Sequence, residues 1–280
     1  MGAWARLSPL TRGLFGVGLG ISLIYALLAL LAPLLLAWGW LADPTVFLDY
    51  PVQAPPSAAH IFGTDRLGYD ILSRTVFAAR AAWGVVLAAT GLSLLVGVPL
   101  GLVSGYLGGR LDRGLLFVMD TLYTLPGLLL SLSVAFVVGR GVVNAALALS
   151  IAYIPQYYRL VRNQTVSLKQ EVFVDAVRAL GATPVWVLRR HLLGHVAQNL
   201  PVLFSLNAAD AILTLAGLGF LGLGLPPDVP EWGYDLRQAL DALPVGIWWA
   251  TFFPGAAMTL LVVGLSLVGE GLQELAQGQS

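Results

Sequence analysis

The chain has 280 residues, enough for two ordinary soluble domains or for one membrane domain with several spans. Apolar residues make up 58% of the chain, against roughly 45–50% in a typical globular protein, and charged residues make up 11%, against about 25%. A soluble protein with so little charge would expose large apolar patches, so the composition predicts an integral membrane protein. The 15 basic and 15 acidic residues balance, which excludes a basic nucleic-acid-binding surface. With no cysteine and three histidines, no metal site is predicted.

The apolar residues are concentrated in six stretches that approach the roughly 20 residues a helix needs to cross a membrane. In chain order they are Leu14–Leu41, Trp83–Tyr106, Leu115–Val138, Val142–Tyr158, Leu200–Leu225 and Val245–Val268. Several of them contain a proline, which neighbouring helices can accommodate in a bundle. Among these are Pro33, Pro99, Pro126, Pro155 and Pro254. We therefore predict an all-α, multi-pass protein of the cytoplasmic membrane, surrounded by lipid, with about six transmembrane helices.

Basic residues indicate the orientation of these spans. With the N-terminus inside, the cytoplasmic segments hold ten arginines and lysines and the outer segments hold five. Because cytoplasmic loops carry the excess of positive charge, both termini are expected in the cytoplasm. Residues 1–60 then form an N-terminal segment with the first span and the start of an outer loop. Residues 61–280 form a core of five spans with a long cytoplasmic connection, residues 159–199.

Connections of this length are usually functional or disordered, and this one carries helix signals. Ser167 and Gln170 match a capping box, which predicts a helix start at that point. The expected apolar face of this helix consists of Val172, Ala176, Ala179 and Leu180. Gly181 interrupts the helix, and Thr183 followed by Pro184 predicts a second start. The connection is thus expected to form two short helices against the cytoplasmic face, either as a linking loop or as a docking site for a soluble partner.

Glycine spacing predicts close helix packing in two of the spans. Gly97, Gly101 and Gly105 recur every four residues in the second span, and Gly16 and Gly20 do so in the first. Small residues at this spacing let helix backbones approach each other in lipid.

The chain offers no convincing nucleotide site of its own. Lys169 is its one lysine, and it lacks the glycine that a phosphate-binding loop places before the lysine. Gly217, Gly219 and Gly222 match the dinucleotide pattern, but they lie in an apolar run rather than in a strand–turn–helix unit. Helix packing or local unwinding is the better interpretation of these glycines.

Two carboxylates lie within the spans, where an ionisable residue is a functional hypothesis by default. Asp120 is near the cytoplasmic end of its span and is expected to pair with an arginine of a loop. Asp210 lies deeper, and it either lines a translocation pathway alongside Asn207 or makes interhelical hydrogen bonds.

The connection also resembles a known motif. Residues 175–181, with the pattern Asp-Ala-Val-x-x-x-Gly, and residues 191–194, with the pattern His-x-Leu-Gly, resemble the EAA loop of binding-protein-dependent ABC importer permeases. That loop has the pattern Glu-Ala-Ala, three residues, Gly, nine residues, Ile-x-Leu-Pro, so four of its positions differ here. Other segments from about residue 60 onward resemble the dipeptide, oligopeptide and nickel permeases, including Phe-Gly-Thr-Asp at 62–65 and Tyr-Arg-Leu-Val-Arg at 158–162. The short outer loop resembles that of the second permease of the pair, and Leu215 departs from an expected glutamate.

The resemblance implies a type I ABC importer permease that is not itself an enzyme. It implies a second homologous permease, two ABC ATPase subunits that bind ATP and Mg²⁺, and an extracytoplasmic solute-binding protein, while this chain holds no cofactor. The ATPase-docking residues it implies are Asp175, Ala176, Val177, Gly181, Ala182, Pro184, Arg189 and His191. The cargo is expected to be a dipeptide or oligopeptide, with nickel and oligosaccharides as related solutes. The alternative interpretation is an ion-coupled secondary transporter that uses Asp120 and Asp210.

Overall fold

Apolar runs in a membrane protein fold as helices because backbone N–H and C=O groups in hydrocarbon must be paired within their own segment. The computed structural model describes residues 8–46, 48 and 50–277. These residues form helices and helical turns, with one isolated bridge between Thr64 and Asp70 and no strand. The prediction of an all-α protein is therefore confirmed. Arg6, which contributes to the charge count above, lies outside the described residues.

Eleven α-helices are found in the described part of the chain. They are α1 (Pro9–Ala37), α2 (Ile71–Leu107), α3 (Gly109–Thr124), α4 (Gly127–Val138), α5 (Val142–Leu168), α6 (Val172–Ala179), α7 (Pro184–Val187), α8 (Leu193–Val196), α9 (Leu200–Phe220), α10 (Trp232–Ala239) and α11 (Trp249–Gln277). A π-helical turn, Leu188–Leu192, joins α7 to α8, and a 3₁₀ turn, Ala197–Asn199, joins α8 to α9. Another 3₁₀ turn, Leu240–Val245, follows α10.

Four helices of the described chain are long and apolar enough to cross a membrane. They are Pro9–Ala37, Ile71–Leu107, the continuous helical run Pro184–Phe220 and Trp249–Ala276. The bent pair formed by α3 and α4 supplies a fifth if it is taken as one span. The fourth predicted stretch lies in α5, a helix of 27 residues whose second half is more polar. The count of six spans stays a prediction.

The third predicted stretch is not the continuous span that the sequence suggested. The chain bends by 96° between α3 and α4. Leu125 adopts an extended conformation there, with φ −80° and ψ 134°, and Pro126 follows it. Proline disfavours a helical conformation in the residue before it, which explains why the helix ends at this point. The other four prolines lie inside helices, so neighbouring helices do accommodate them: Pro33, Pro99, Pro155 and Pro254.

The centre of the bundle is shared by α2, α5, α9 and α11. Their buried side chains form one core that includes Val85, Leu149, Ile212 and Leu261. The glycines of α2 allow close contact with α5: a Cβ added at Gly97, Gly101 or Gly105 would lie 2.8, 2.7 or 2.7 Å from the nearest atom of α5. Helix packing through these three glycines is confirmed.

The corresponding prediction for the first span is wrong. A Cβ added at Gly16 or Gly20 would meet nothing within 4 Å. Gly18 is the glycine of α1 that packs closely, since its added Cβ would lie 2.6 Å from Leu267 Cβ on α11. The spacing of glycines does not reveal which face of a helix contacts its neighbour. In α1 the face that contacts α11 is the one that contains Gly18.

The bundle has two distinct ends. Ser8 N donates to Glu274 Oε1 at 2.8 Å, so the start of α1 lies beside the end of α11. Gln164 of α5 and Gln273 of α11 line one cavity at this end. We call it the basic end, because the connection rich in arginine begins there. The opposite end, where Trp249 Nε1 donates to Thr64 O at 3.2 Å, holds residues 50–70 and α10, and we call it the loop end.

Candidate functional site

Residues 171–192, which we call the two-helix segment, form the most distinctive feature of the basic end. Glu171 is extended, and α6 follows it as Val172–Ala179. After the helix ends, Gly181 adopts a φ of +87°. L side chains rarely adopt this left-handed conformation, so the turn favours glycine. After the turn, Thr183 Oγ1 accepts a hydrogen bond from Trp186 N at 3.4 Å, and Pro184 opens α7. The predicted second helix start is confirmed.

Two details of this segment differ from the sequence expectation. Ser167 lies in the last turn of α5 and does not cap α6, so the predicted capping box is wrong. The second helix is also not short, because α7, the π-helical turn and α8 continue without a break into α9 as the run Pro184–Phe220. The connection to the span is therefore a rigid helix and not a flexible loop.

One side of the two-helix segment packs against the bundle. Val174, Val187 and Leu192 are fully buried in a cluster with Val98 of α2 and Val161 of α5. Side chains that are buried in this way transmit a displacement to their neighbours, since protein interiors are close-packed. The segment is thus fixed to α2 and α5 by apolar contacts.

Polar contacts strengthen the same attachment. Lys169 Nζ donates to Gly105 O at 2.7 Å, and Arg178 Nε donates to Tyr106 Oη at 3.2 Å. The Arg178 guanidinium also lies 4.9 Å from the centre of the Tyr106 ring. The attachment extends to α3, because Arg162 of α5 binds Asp112 through two hydrogen bonds of 2.7 and 2.6 Å. Bidentate pairs of this kind fix orientation as well as distance.

The opposite side of the segment is exposed, and its apolar face differs from the expected one. Val172 and Leu180 were expected to pack, but they are 82% and 88% exposed, because the buried face is centred on Val174 instead. A cavity of about 390 Å³ lies at the bend, lined by Leu180 and Trp186 among others. Sequence reasoning missed Trp186, which is 48% exposed beside a left-handed glycine. Exposed tryptophans are typical anchors of protein interfaces.

The eight residues implied as docking residues are not equivalent in the structure. Five of them are exposed: Asp175, Ala176, Gly181, Pro184 and Arg189. Val177 and Ala182 are half-buried. His191 is also half-buried, with its ring 4.9 Å from that of Trp186 and 6.1 Å from that of Phe173. The imidazole therefore packs against the Trp186 ring and contributes less to the outer surface than Trp186 does.

The three pathway candidates differ in their surroundings. Asn207 is 4% exposed, whereas Asp210, three residues further along α9, is exposed. Asp210 accepts a hydrogen bond of 2.7 Å from Tyr153 Oη. Asp120 Oδ1 lies 3.8 Å from Arg159 Nε, so the expected contact with an arginine is present, although the arginine belongs to α5 and not to a loop.

A larger cavity opens at the basic end beside these residues. Its volume is about 780 Å³, and α3, α5, α9 and α11 contribute to its walls together with the turn before α9. Arg159 and five amide side chains from α5, the turn and α11 are among its polar residues. This cavity could not be read from a local pattern, because its residues come from four separate stretches of the chain.

Comparison with known proteins agrees with this arrangement. Residues 97–277 match the family described as binding-protein-dependent transport system inner membrane component. The chain is 36% identical over 233 residues to the glutathione transport system permease protein GsiD of Pectobacterium atrosepticum, covering 83% of this chain and 77% of that protein. It is 37% identical over 238 residues to the probable D,D-dipeptide transport system permease protein DdpC of Escherichia coli, covering 84% and 80%.

A third relative extends the similarity along nearly the whole chain. The dipeptide transport system permease protein DppC of Alkalihalophilus pseudofirmus is 35% identical over 262 residues, which cover 92% of this chain and 83% of that protein. The family match covers more than half of the chain, and the similarity reaches beyond it on the N-terminal side. The chain therefore belongs to the family of inner membrane components of binding-protein-dependent transport systems, and it is a multi-pass transport subunit rather than an enzyme.

Proposed function

We propose that this chain is one of two permeases in an ATP-driven importer of short peptides. A second homologous permease would complete the pathway, two ABC ATPase subunits would bind ATP and Mg²⁺, and an extracytoplasmic binding protein would deliver the peptide. Support for the cargo comes from the three relatives, whose names refer to glutathione, D,D-dipeptides and dipeptides. The basic end would face the cytoplasm, in agreement with the excess of positive charge on that side.

The observation that carries this proposal is the two-sided construction of the two-helix segment. Its outer side exposes Leu180, Val185 and Trp186 around the bend, as helix-in-groove recognition requires. Its inner side buries Val174 and Leu192 against α2 and α5. A partner bound to the outer side would therefore move the inner side with it.

The helical run Pro184–Phe220 would connect the docked segment to the membrane spans. When the two ATPases close on ATP, the docked segments would shift as rigid bodies. Each shift would tilt α9 and the helices attached to it, which opens the pathway to one side of the membrane and closes it to the other. A chain without a nucleotide site of its own obtains its energy in this way from its partners.

Replacing Gly181 with valine tests this proposal. The added side chain meets no atom within 4 Å, so its effect comes from the φ of +87°, which a β-branched residue tolerates poorly. We expect the backbone conformation of the turn to change, so that the orientation of α6 relative to α7 changes as well. In proteoliposomes that contain the complete importer, ATP-dependent uptake of trialanine should fall at least tenfold, and peptide-stimulated ATP hydrolysis should fall with it.

The matched control is Gly194→Ala, in the same connection. Gly194 is helical, and its added Cβ also meets nothing within 4 Å, so uptake should stay within twofold of the wild-type value. Unchanged uptake and ATPase stimulation in the Gly181→Val importer would show that the segment does not couple the ATPases to transport.

A further inference from the structure

The cavity at the basic end has a lining with the chemistry of a peptide-binding site. Its polar lining residues are Gln156, Arg159, Gln164, Gln198, Asn199 and Gln273. An amide side chain offers both a donor and an acceptor, so it can pair with the N–H and C=O of a peptide bond whatever the neighbouring side chains are. A site lined by such groups suits a cargo that is recognised by its backbone.

One of these amides has an acceptor that lacks a partner. Gln164 Oε1 is buried and makes no hydrogen bond with any described residue. Buried polar atoms are nearly always hydrogen-bonded, so an unpaired acceptor at a cavity wall calls for a donor from a ligand or from water. A peptide N–H is such a donor.

A carboxylate lies one helical turn beyond a residue of the cavity wall. Asp210 is one helical turn after Leu206, which lines the cavity, so the two residues share a face of α9. Its carboxylate is exposed and is oriented by the hydroxyl of Tyr153 at 2.7 Å. An ionisable group within a span is costly to expose to lipid, and this face of α9 therefore belongs to an aqueous path. The carboxylate is placed to receive a positively charged group.

The cavity also holds a cation. Arg159 lines it from α5, six residues or about 9 Å along the helix axis from Tyr153, the residue that donates to Asp210. Its guanidinium lies 4.5 Å from the centre of the Tyr123 ring and makes only a loose contact of 3.8 Å with Asp120, so donors are left for a ligand carboxylate. The amino and carboxyl groups of an extended tripeptide are separated by about 10 Å.

We propose that this face of α5 and α9 is a peptide site within the permease, in which Asp210 receives the terminal amino group, Arg159 receives the terminal carboxylate and the amides bind the backbone between them. The inference rests on the importer function proposed above. It assigns recognition of peptide length and of free termini to this chain, in addition to any selection by the binding protein.

The test measures binding to the assembled importer in nanodiscs, without nucleotide and without binding protein. The probe is the tripeptide alanyl-benzoylphenylalanyl-alanine, which is crosslinked by light and mapped by mass spectrometry. Unlabelled trialanine, N-acetyl-trialanine and trialanine amide compete with it. We expect crosslinks to Leu203 or Leu206 in the cavity wall, and competition at least tenfold weaker when either terminus is blocked.

Variants assign each terminus to a residue. Asp210→Asn should remove the difference between trialanine and its N-acetyl form, whereas Asp210→Glu should keep it. Arg159→Gln should remove the difference between trialanine and its amide. The charge-matched controls Asp228→Asn and Arg113→Gln alter exposed residues that do not line the cavity, and both differences should persist in them.

Absent labelling, labelling away from the cavity, or discrimination that survives in Asp210→Asn and Arg159→Gln would overturn the proposed site. The function proposed above has its own readout, which is ATP-dependent accumulation of trialanine by the importer with its binding protein. Failure of that accumulation would reject the importer of peptides, and success with unchanged discrimination in the variants would reject the site alone.

Discussion

Two arginine–aspartate pairs at the loop end differ in burial, and burial changes how much the loss of one partner lowers the free energy of unfolding. Arg74 Nη2 lies 2.6 Å from Asp235 Oδ1, and the two side chains are 3% and 10% exposed. Arg66 Nη1 lies 3.2 Å from Asp241 Oδ2, but these side chains are 37% and 84% exposed. Arg74 also donates to Pro44 O at 3.1 Å, so it connects the loop after α1 with α2 and α10.

Replacing either arginine with methionine should separate the two cases. Arg74→Met leaves the Asp235 carboxylate buried without its partner, which costs about 3–5 kcal/mol. Arg66→Met removes a solvated pair worth about 1 kcal/mol or less. The measurement is the thermal unfolding midpoint of the purified chain in detergent, and equal decreases for the two variants would contradict this account.

At the scale of elements, α2 and α5 share an extended contact beside the core. Gly97, Gly101 and Gly105 face α5, and each lacks room for a methyl group. Two hydrogen bonds at the basic end continue the same contact, one between Ser104 Oγ and Tyr158 Oη at 2.7 Å and one from Lys169 Nζ to Gly105 O at 2.7 Å. These helices hold the two-helix segment, so their distance sets its position.

Gly101→Ala should therefore destabilise the bundle. The new Cβ would lie 2.7 Å from Tyr158 O, and overpacking of this kind costs about 1–3 kcal/mol. Gly91→Ala on the same helix meets nothing within 4 Å and is expected to be neutral or to gain up to about 1 kcal/mol of helix propensity. Thermal unfolding in detergent again gives the comparison. A Gly101→Ala protein as stable as Gly91→Ala would mean that α2 and α5 are free to move apart.

For the whole molecule, the decisive feature is the continuous helical run from Pro184 to Phe220. Its 37 residues extend over about 55 Å at 1.5 Å per residue, so it reaches from the exposed bend to the far end of α9. Ser205 Oγ donates to Leu265 O at 2.8 Å, which attaches α11 to the same helix. In the proposed importer, motion of the bend would therefore be passed to two spans by this helical run.

Inserting two glycines between Leu193 and Gly194 should interrupt this transmission. Two added residues rotate the following helix by about 200° relative to the segment, and glycine weakens the helix further. We expect the partner ATPases to co-purify with the variant while peptide uptake falls at least tenfold. The same insertion between Gly246 and Ile247, in the turn before α11, should leave uptake within about twofold. Equal uptake by both insertion variants would exclude the rigid helix as the coupling element.

Much of the fold could be predicted from residue patterns. Helix formation and transfer into lipid depend on neighbouring residues or on a sum over residues, and such patterns record both. The apolar runs indicated helices, Thr183 and Pro184 indicated a helix start, and the glycines of the second span indicated a close contact. The site was predicted only in outline. Its bend was located, but the exposed Leu180 and Trp186 were not recognised as its outer surface, since exposure depends on which neighbours cover a helix face.

The sequence by itself determined that the chain is a helical membrane protein without a convincing nucleotide site. Transfer from water to lipid is a sum over residues, and a phosphate-binding loop needs a local pattern that is missing here. Only the tertiary structure decided that the chain bends at Pro126 while four other prolines stay within helices, and that the second helix of the connection continues into α9. It also decided that amides from separate stretches of the chain meet in one cavity with Arg159, and that this cavity includes Leu206, one helical turn before Asp210 on α9. These outcomes depend on contacts between residues far apart in the chain, which no local pattern records.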